Sequence, residues 1–140
     1  MAITTYTNFY VLINAVDLSD HVSKVVVNDV RAQVDITAMG ALFTTLTKGL
    51  GDGKISVDFF QDYAAAKVHA TLQPLIGSTT PFAVELRPVN AARSATNPAV
   101  LMANALLLDY NSVNAKVGDA INFTADFINA GGAGITYPTS

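Results

Sequence analysis

Residues 53–77, GKISVDFFQDYAAAKVHATLQPLIG, gather Asp58, Asp62, Lys67 and His69 around Phe59, Phe60 and Tyr63. Two carboxylates, a base and an aromatic wall are ingredients of acid–base catalysis, provided the separations suit the reaction. A simpler arrangement uses the same residues. ISVDF alternates apolar and polar positions as a half-buried strand does. YAAAKVHATLQ is rich in helix formers, and Ala65, Val68, Leu72, Leu75 and Ile76 recur at helical spacing. Asp62 is then the helix cap, its carboxylate accepting backbone N–H groups at the positive end of the helix dipole. Asp58 with Gln61 forms an alternative capping box. Lys67 and His69 face outward, and Pro74 ends or kinks the helix one turn from its close. Nothing in the stretch requires catalysis.

Other routes to chemistry are equally sparse. His21 and His69 are the two histidines, and Ala65 and Gln73 occupy the positions where a helical zinc pair with His69 would need a second imidazole. His21, in LSDHVS, reads as a turn or strand-edge residue. There is no cysteine, which removes thiol catalysis, disulfides and thiolate metal sites and fits a reducing compartment. No G-x-S-x-G occurs. KGLGDGK falls one residue short of a phosphate loop, and Ile55 stands where Ser or Thr is needed, so a tight turn at Gly51-Asp52-Gly53 is expected instead. Asn122-Phe123-Thr124 matches a glycosylation sequon but lies inside a strand pattern. No catalytic, cofactor or metal residue is expected. The eight Lys and Arg are scattered singly, which speaks against sequence-independent grip on nucleic acid. The N-terminus does not read as a signal peptide.

The composition points elsewhere. The 140 residues suit one domain, with 51% apolar and only 14% charged; about 25% charged is usual for a soluble domain. The longest apolar run, PAVLMANALLL from Pro98, is about half of the ~20 residues a membrane span needs, and Asn104 interrupts it. An apolar, undercharged chain without a span hides surface against other subunits. Ten of its eleven acids are Asp, which favours turns and caps and hence a β-rich chain. Strand alternation runs through VRAQVDI, PFAVELRP and DAINFTADF, and AVLMANALLLD reads as a strand covered on both faces. NFYVLINAVDLS reads as two short strands about Asn14-Ala15. Residues 37–53 read as a long loop in which Leu42, Phe43, Leu46 and Leu50 are placed to fold against a neighbour. The segments at about 1–8 and 129–140 read as a flexible arm and a tail awaiting a docking partner.

In order and spacing, VDLSDHVSKVVVN, VDITAMG, LGDGKISVDFFQDYAAAKVHATLQPLIG, PFAVELRPV, NPAVLMANALLLDY and VGDAINFTADF resemble the major tail tube protein of long-tailed bacteriophages with non-contractile tails. The resemblance covers roughly residues 10 to 128 and rests on no catalytic motif. It implies a mainly β (α+β) fold, a sandwich or partial barrel of two packed antiparallel sheets with one flanking helix at about residues 62–76. It implies hexameric rings whose inner sheets join into one β-barrel, stacked into a hollow tube that conducts genomic DNA from capsid to host cell. The implied partners are further copies of the chain and the tape measure, tail tip and terminator proteins. DNA passes through without specific binding, and neither cofactor nor membrane is involved. The chain would be made in the host cytoplasm and reside in the virion tail. Leu42, Phe43, Leu46 and Leu50 become candidates for contacts between subunits or rings. Asp35, Glu85, Asp109 and Asp126 become candidates for a weakly acidic lumen, tempered by Arg31 and Arg87 on two of those faces. The alternatives are a tail-terminator or distal-tail subunit forming a single ring, and a small β-sandwich enzyme or ligand-binding module.

Overall fold

In the computed structural model, which describes residues 8–140, every stretch that alternates in sequence is a strand. The expected N-terminal arm lies outside the described residues apart from Asn8. The strands are β1 (Tyr10–Ile13), β2 (Val16–Asp17), β3 (Val22–Asp35), β4 (Leu46–Phe60), β5 (Phe82–Arg87), β6 (Val100–Asp109), β7 (Asn122–Asn129) and β8 (Ile135–Thr136), with one α-helix, α1 (Val68–Ile76). The fold is mainly β with a flanking helix, as expected. Its strands are joined in a single antiparallel sheet, not two, in the order β2-β1-β5-β6-β7-β4-β3, with β8 also on β6. Phe9, Tyr10 and Val11 near one end of that order line the same apolar groove as Val25 and Val27 of β3 at the other, so the sheet curls into a partial barrel.

The core lies on the concave face. Gly53, Ile55, Val57 and Phe59 point inward from β4 and are buried. Cross-strand pairing sets Ile55 beside Phe127, Val57 beside Ala125 and Phe59 beside Phe123. Phe59 stacks on Phe123 at 5.7 Å between ring centres, and Phe82 meets Phe127 edge-on at 5.9 Å, geometries that add to simple area burial. Val68, Leu72 and Leu75 of α1 complete the core.

The helix begins at Val68, six residues later than 62. Lys67 takes the N-cap position and its side chain makes no capping bond. Asp62 is therefore not the cap. Its Oδ1 accepts the Ala64 N–H at 2.9 Å, closing a local turn, and its backbone carbonyl accepts the His69 N–H at 3.0 Å. A short acid side chain bonding its own backbone two residues on is the competitor that keeps such residues out of helices.

The expected loop at 37–53 is largely strand. β3 and β4 pair from Val22↔Phe59 to Asp35↔Leu46, with irregularities between Val22 and Lys24 and between Arg31 and Gln33, so the connection spans only residues 36–45. The glycines that read as turn signals serve close approach instead. A Cβ on Gly49 would lie 2.8 Å from Val34, on Gly51 2.9 Å from Arg31, and on Gly53 2.9 Å from Ile135. Glycine inside a strand often marks such a contact. The C-terminal segment is docked on the chain itself. Ile135 and Thr136 pair with β6, the Ala99 N–H donates to the Pro138 carbonyl at 2.9 Å, and the Tyr137 hydroxyl donates to Asp29 at 2.9 Å.

Candidate assembly surface

The side chains that suggested catalysis are dispersed. Asp58 points to the convex face, where its Oδ1 accepts the Thr124 hydroxyl at 2.6 Å. Asp62 pairs with His21, Lys67 lies 3.8 Å from Asp20, and His69 Nδ1 sits 2.7 Å from the Tyr110 hydroxyl. Their immediate partners differ, although Asp62 and Lys67 meet the same His21–Asp20 pair. Among the described residues, no group of three His, Cys, Asp or Glu is placed to hold a metal ion, and no helix is long and apolar enough to cross a membrane.

The unusual surface is the outer half of the β3–β4 hairpin. β7 flanks β4 only from Lys54 to Phe60. Beyond that point the two strands continue alone as an arm. Residues 36–47 contain no charged side chain. Met39, Leu42, Phe43 and Leu50 are each at least 85% exposed, and Val30, Val34, Ile36 and Leu46 are exposed as well. The tip is ordered by its own bonds. Thr37 donates from its backbone and its hydroxyl to Asp35 Oδ1 at 2.9 and 2.6 Å, and accepts the Thr45 N–H at 2.8 Å. Those Thr37 bonds hold the Asp35 carboxyl below the ordinary carboxylate range. Gly40, at φ +88°, supplies the left-handed residue of the terminal turn. An isolated two-stranded hairpin is marginal in water, and burying one large apolar side chain is worth roughly 1.5–3 kcal/mol. This accounting makes the arm a candidate contact surface. β3 adds a second such feature, an edge strand of 14 residues paired on one side only; long exposed edges are templates for another chain.

The convex face of the sheet mixes polar groups with the exposed Val26 and Val30 of β3, which pair with Ser56 and Asp52. β4 points Asp52, Lys54, Ser56 and Asp58 outward, and β7 adds Thr124 and Asp126. Asp126 accepts the Ser56 hydroxyl at 2.8 Å and lies 3.4 Å from Lys54 Nζ. Asp109 is paired across to Asp126, and Lys24 to Asp58. Asp52, Asp58, Asp109 and Asp126 thus face two lysines.

Of the four acids offered as lumen candidates, only Asp109 and Asp126 come together. Asp35 belongs to the arm tip. Glu85 is 6% exposed and is bonded by Arg87 Nε and Arg93 Nε, both at 2.9 Å. Alternation correctly sets Glu85 opposite the core residue Val84, but the two arginines fold over it and take it out of solvent. Leu42 and Phe43 stand at the arm tip and Leu46 and Leu50 on its second strand. Met39 belongs to the same apolar tip and escaped sequence reading because the run ITAMGALF has no strand or helix period.

No protein-family model and no curated protein matches the chain. Several solved structures share its fold. A chain in the virion of a native gene transfer agent (GTA) particle superposes with a TM-score of 0.75 at 8% identity, covering 96% of this chain and 98% of that one. A chain in the tail of an empty GTA particle, computed with helical refinement in C6 symmetry, superposes with a TM-score of 0.66 at 9% identity, covering 84% of this chain and 81% of that one.

Proposed function

We propose that this chain is a structural protein of a virion tail, assembling as hexameric rings that stack into a hollow tube through which DNA passes. The observation that carries the proposal is the arm: a hydrogen-bonded, uncharged hairpin whose large apolar side chains stand in solvent. A free-standing monomer gains nothing from such a surface, whereas a repeating assembly buries it in every copy. The fold likeness to a chain from a C6-symmetric tail supports the ring and its symmetry. The role is architectural, and no catalytic step is assigned to any residue.

Two surfaces take separate tasks on this reading. The arm, through Leu42, Phe43, Leu46 and Leu50, reaches the adjacent subunit or ring. The convex face with Asp109 and Asp126 lines the lumen, where its acidic excess repels DNA phosphates and keeps them moving. Negative-stain electron microscopy of the purified protein, with sedimentation to size the soluble species, tests the proposal. Long hollow tubes with a regular axial repeat are expected. Isolated rings would indicate a terminator or distal-tail subunit instead. Monomers that persist after addition of a tail-tip initiator would overturn the assembly reading in favour of a binding module.

A further inference from the structure

His21 stands at the body end of the hairpin, one residue outside the Val22↔Phe59 pair and far along the strand from the arm tip. Its two ring nitrogens have separate acidic partners. Nδ1 lies 2.7 Å from Asp20 Oδ1, and Nε2 lies 2.8 Å from Asp62 Oδ2. The side chain is only 17% exposed. Ionised carboxylates accept hydrogen bonds and donate none, and a neutral imidazole has a single N–H. Both contacts are therefore hydrogen bonds only when the ring carries both protons. The remaining charged neighbour is Lys67, whose Nζ approaches Asp20 Oδ2 at 3.8 Å.

Asp62 holds more than the histidine. It closes the turn between β4 and α1 by accepting the Ala64 N–H and, through its carbonyl, the His69 N–H. That turn contains Ala66 at φ +61°, a left-handed conformation unfavourable for a residue with a Cβ. The strain needs an anchor. Tyr63 supplies one through its hydroxyl bond to the Ser112 carbonyl at 2.6 Å, and the His21–Asp62 bond supplies the other.

We propose that His21 is a proton-operated clasp: its imidazolium ties the 3-10 turn Ser19–His21 to the turn between β4 and α1, and loss of the Nε2 proton, with Nδ1–H kept on Asp20, frees Asp62 and loosens that second turn. The sign follows from the donor count. The clasp is closed while the ring is charged and both carboxylates are ionised, and it opens once rising pH removes the ring's second proton. The carboxylates set the acid limit. The His21 bond is the main cause that holds Asp20 below the ordinary range; the Ala64 N–H, followed by His21, does so for Asp62. Both carboxylates therefore keep their charge to a lower pH than ordinary carboxylates do.

Imidazole 15N NMR and amide hydrogen exchange test the clasp. At about pH 5.5 both His21 nitrogens are expected to be protonated. Exchange protection at Ala64, Lys67 and His69, corrected for the intrinsic pH dependence of exchange, is expected to fall roughly three- to tenfold by about pH 8. His69→Gln should leave that fall intact, since His69 bonds Tyr110 instead. His21→Gln should abolish it, and Asp62→Asn, which keeps the histidine and removes its acidic acceptor, should abolish it if His21→Gln does not fold. A neutral His21 at about pH 5.5, or the same pH dependence in Asp62→Asn, would overturn the proposal.

Discussion

Ile55 and Leu46 lie on the same face of one strand, yet Ile55 is fully buried and Leu46 is 47% exposed. Both are aliphatic, and both have β3 alongside, opposite Val27 and Asp35 respectively. The difference is a third strand. β7 runs beside β4 at Ile55, and the curled sheet and α1 close over that face. At Leu46 there is β3 and nothing more. The body and the arm are thus one hairpin in two environments. Burial comes from the layers laid over the concave face, and alternation supplies only the option of burial. Among the described residues the apolar arm has no such layer over it.

Three variants test how separate the two regions are. Phe59→Ala removes a fully buried ring stacked on Phe123 and should cost about 3–5 kcal/mol in thermal or denaturant unfolding. A cost below about 1 kcal/mol would mean that the body is not a packed core at all. Next comes Glu85→Gln, which strips the acidic partner from Arg87 and Arg93. Breaking a buried pair costs about 3–5 kcal/mol, but the arginine side chains are 19% and 26% exposed. Solvent therefore reduces the loss to about 2 kcal/mol, again read by unfolding. The smallest effect on stability is expected at the tip. Leu42→Asp combined with Phe43→Ser should shift unfolding by no more than about 0.5 kcal/mol while abolishing tubes in electron micrographs. If this pair destabilised the monomer as Phe59→Ala does, the arm would be packing against its own chain and the contrast between the regions would collapse.

The elements were more legible than their arrangement. PFAVELRP, DAINFTADF and AVLMANALLLD each declare a strand through side-chain spacing alone, because a strand's two faces meet different surroundings wherever it lies. The β4–α1 junction was legible as a place but not in detail. Asp62 competes between capping a helix and closing a turn, and residues distant in sequence decide that competition, His21 among them. The arm was misread for a related reason. Gly49, Gly51 and Gly53 satisfy every local rule for a turn, and the atoms that need their missing side chains, on Val34, Arg31 and Ile135, lie across the sheet. The candidate lumen acids divide along the same line: Asp109 and Asp126 meet because β6 pairs with β7, while Glu85 is covered by an arginine eight residues away in sequence.

The sequence by itself determined that the chain is β-rich with one helix, that it lacks cysteine and any long apolar span, and that it holds more apolar surface than its charges can balance. These are properties of composition and of short-range periodicity. The tertiary structure decided which apolar side chains became core and which became the arm, that a glycine-rich stretch is strand, and that His21 joins two carboxylates 42 residues apart in the chain. Those outcomes depend on long-range strand pairing and sheet curl, which place residues in contact at separations that no local pattern encodes.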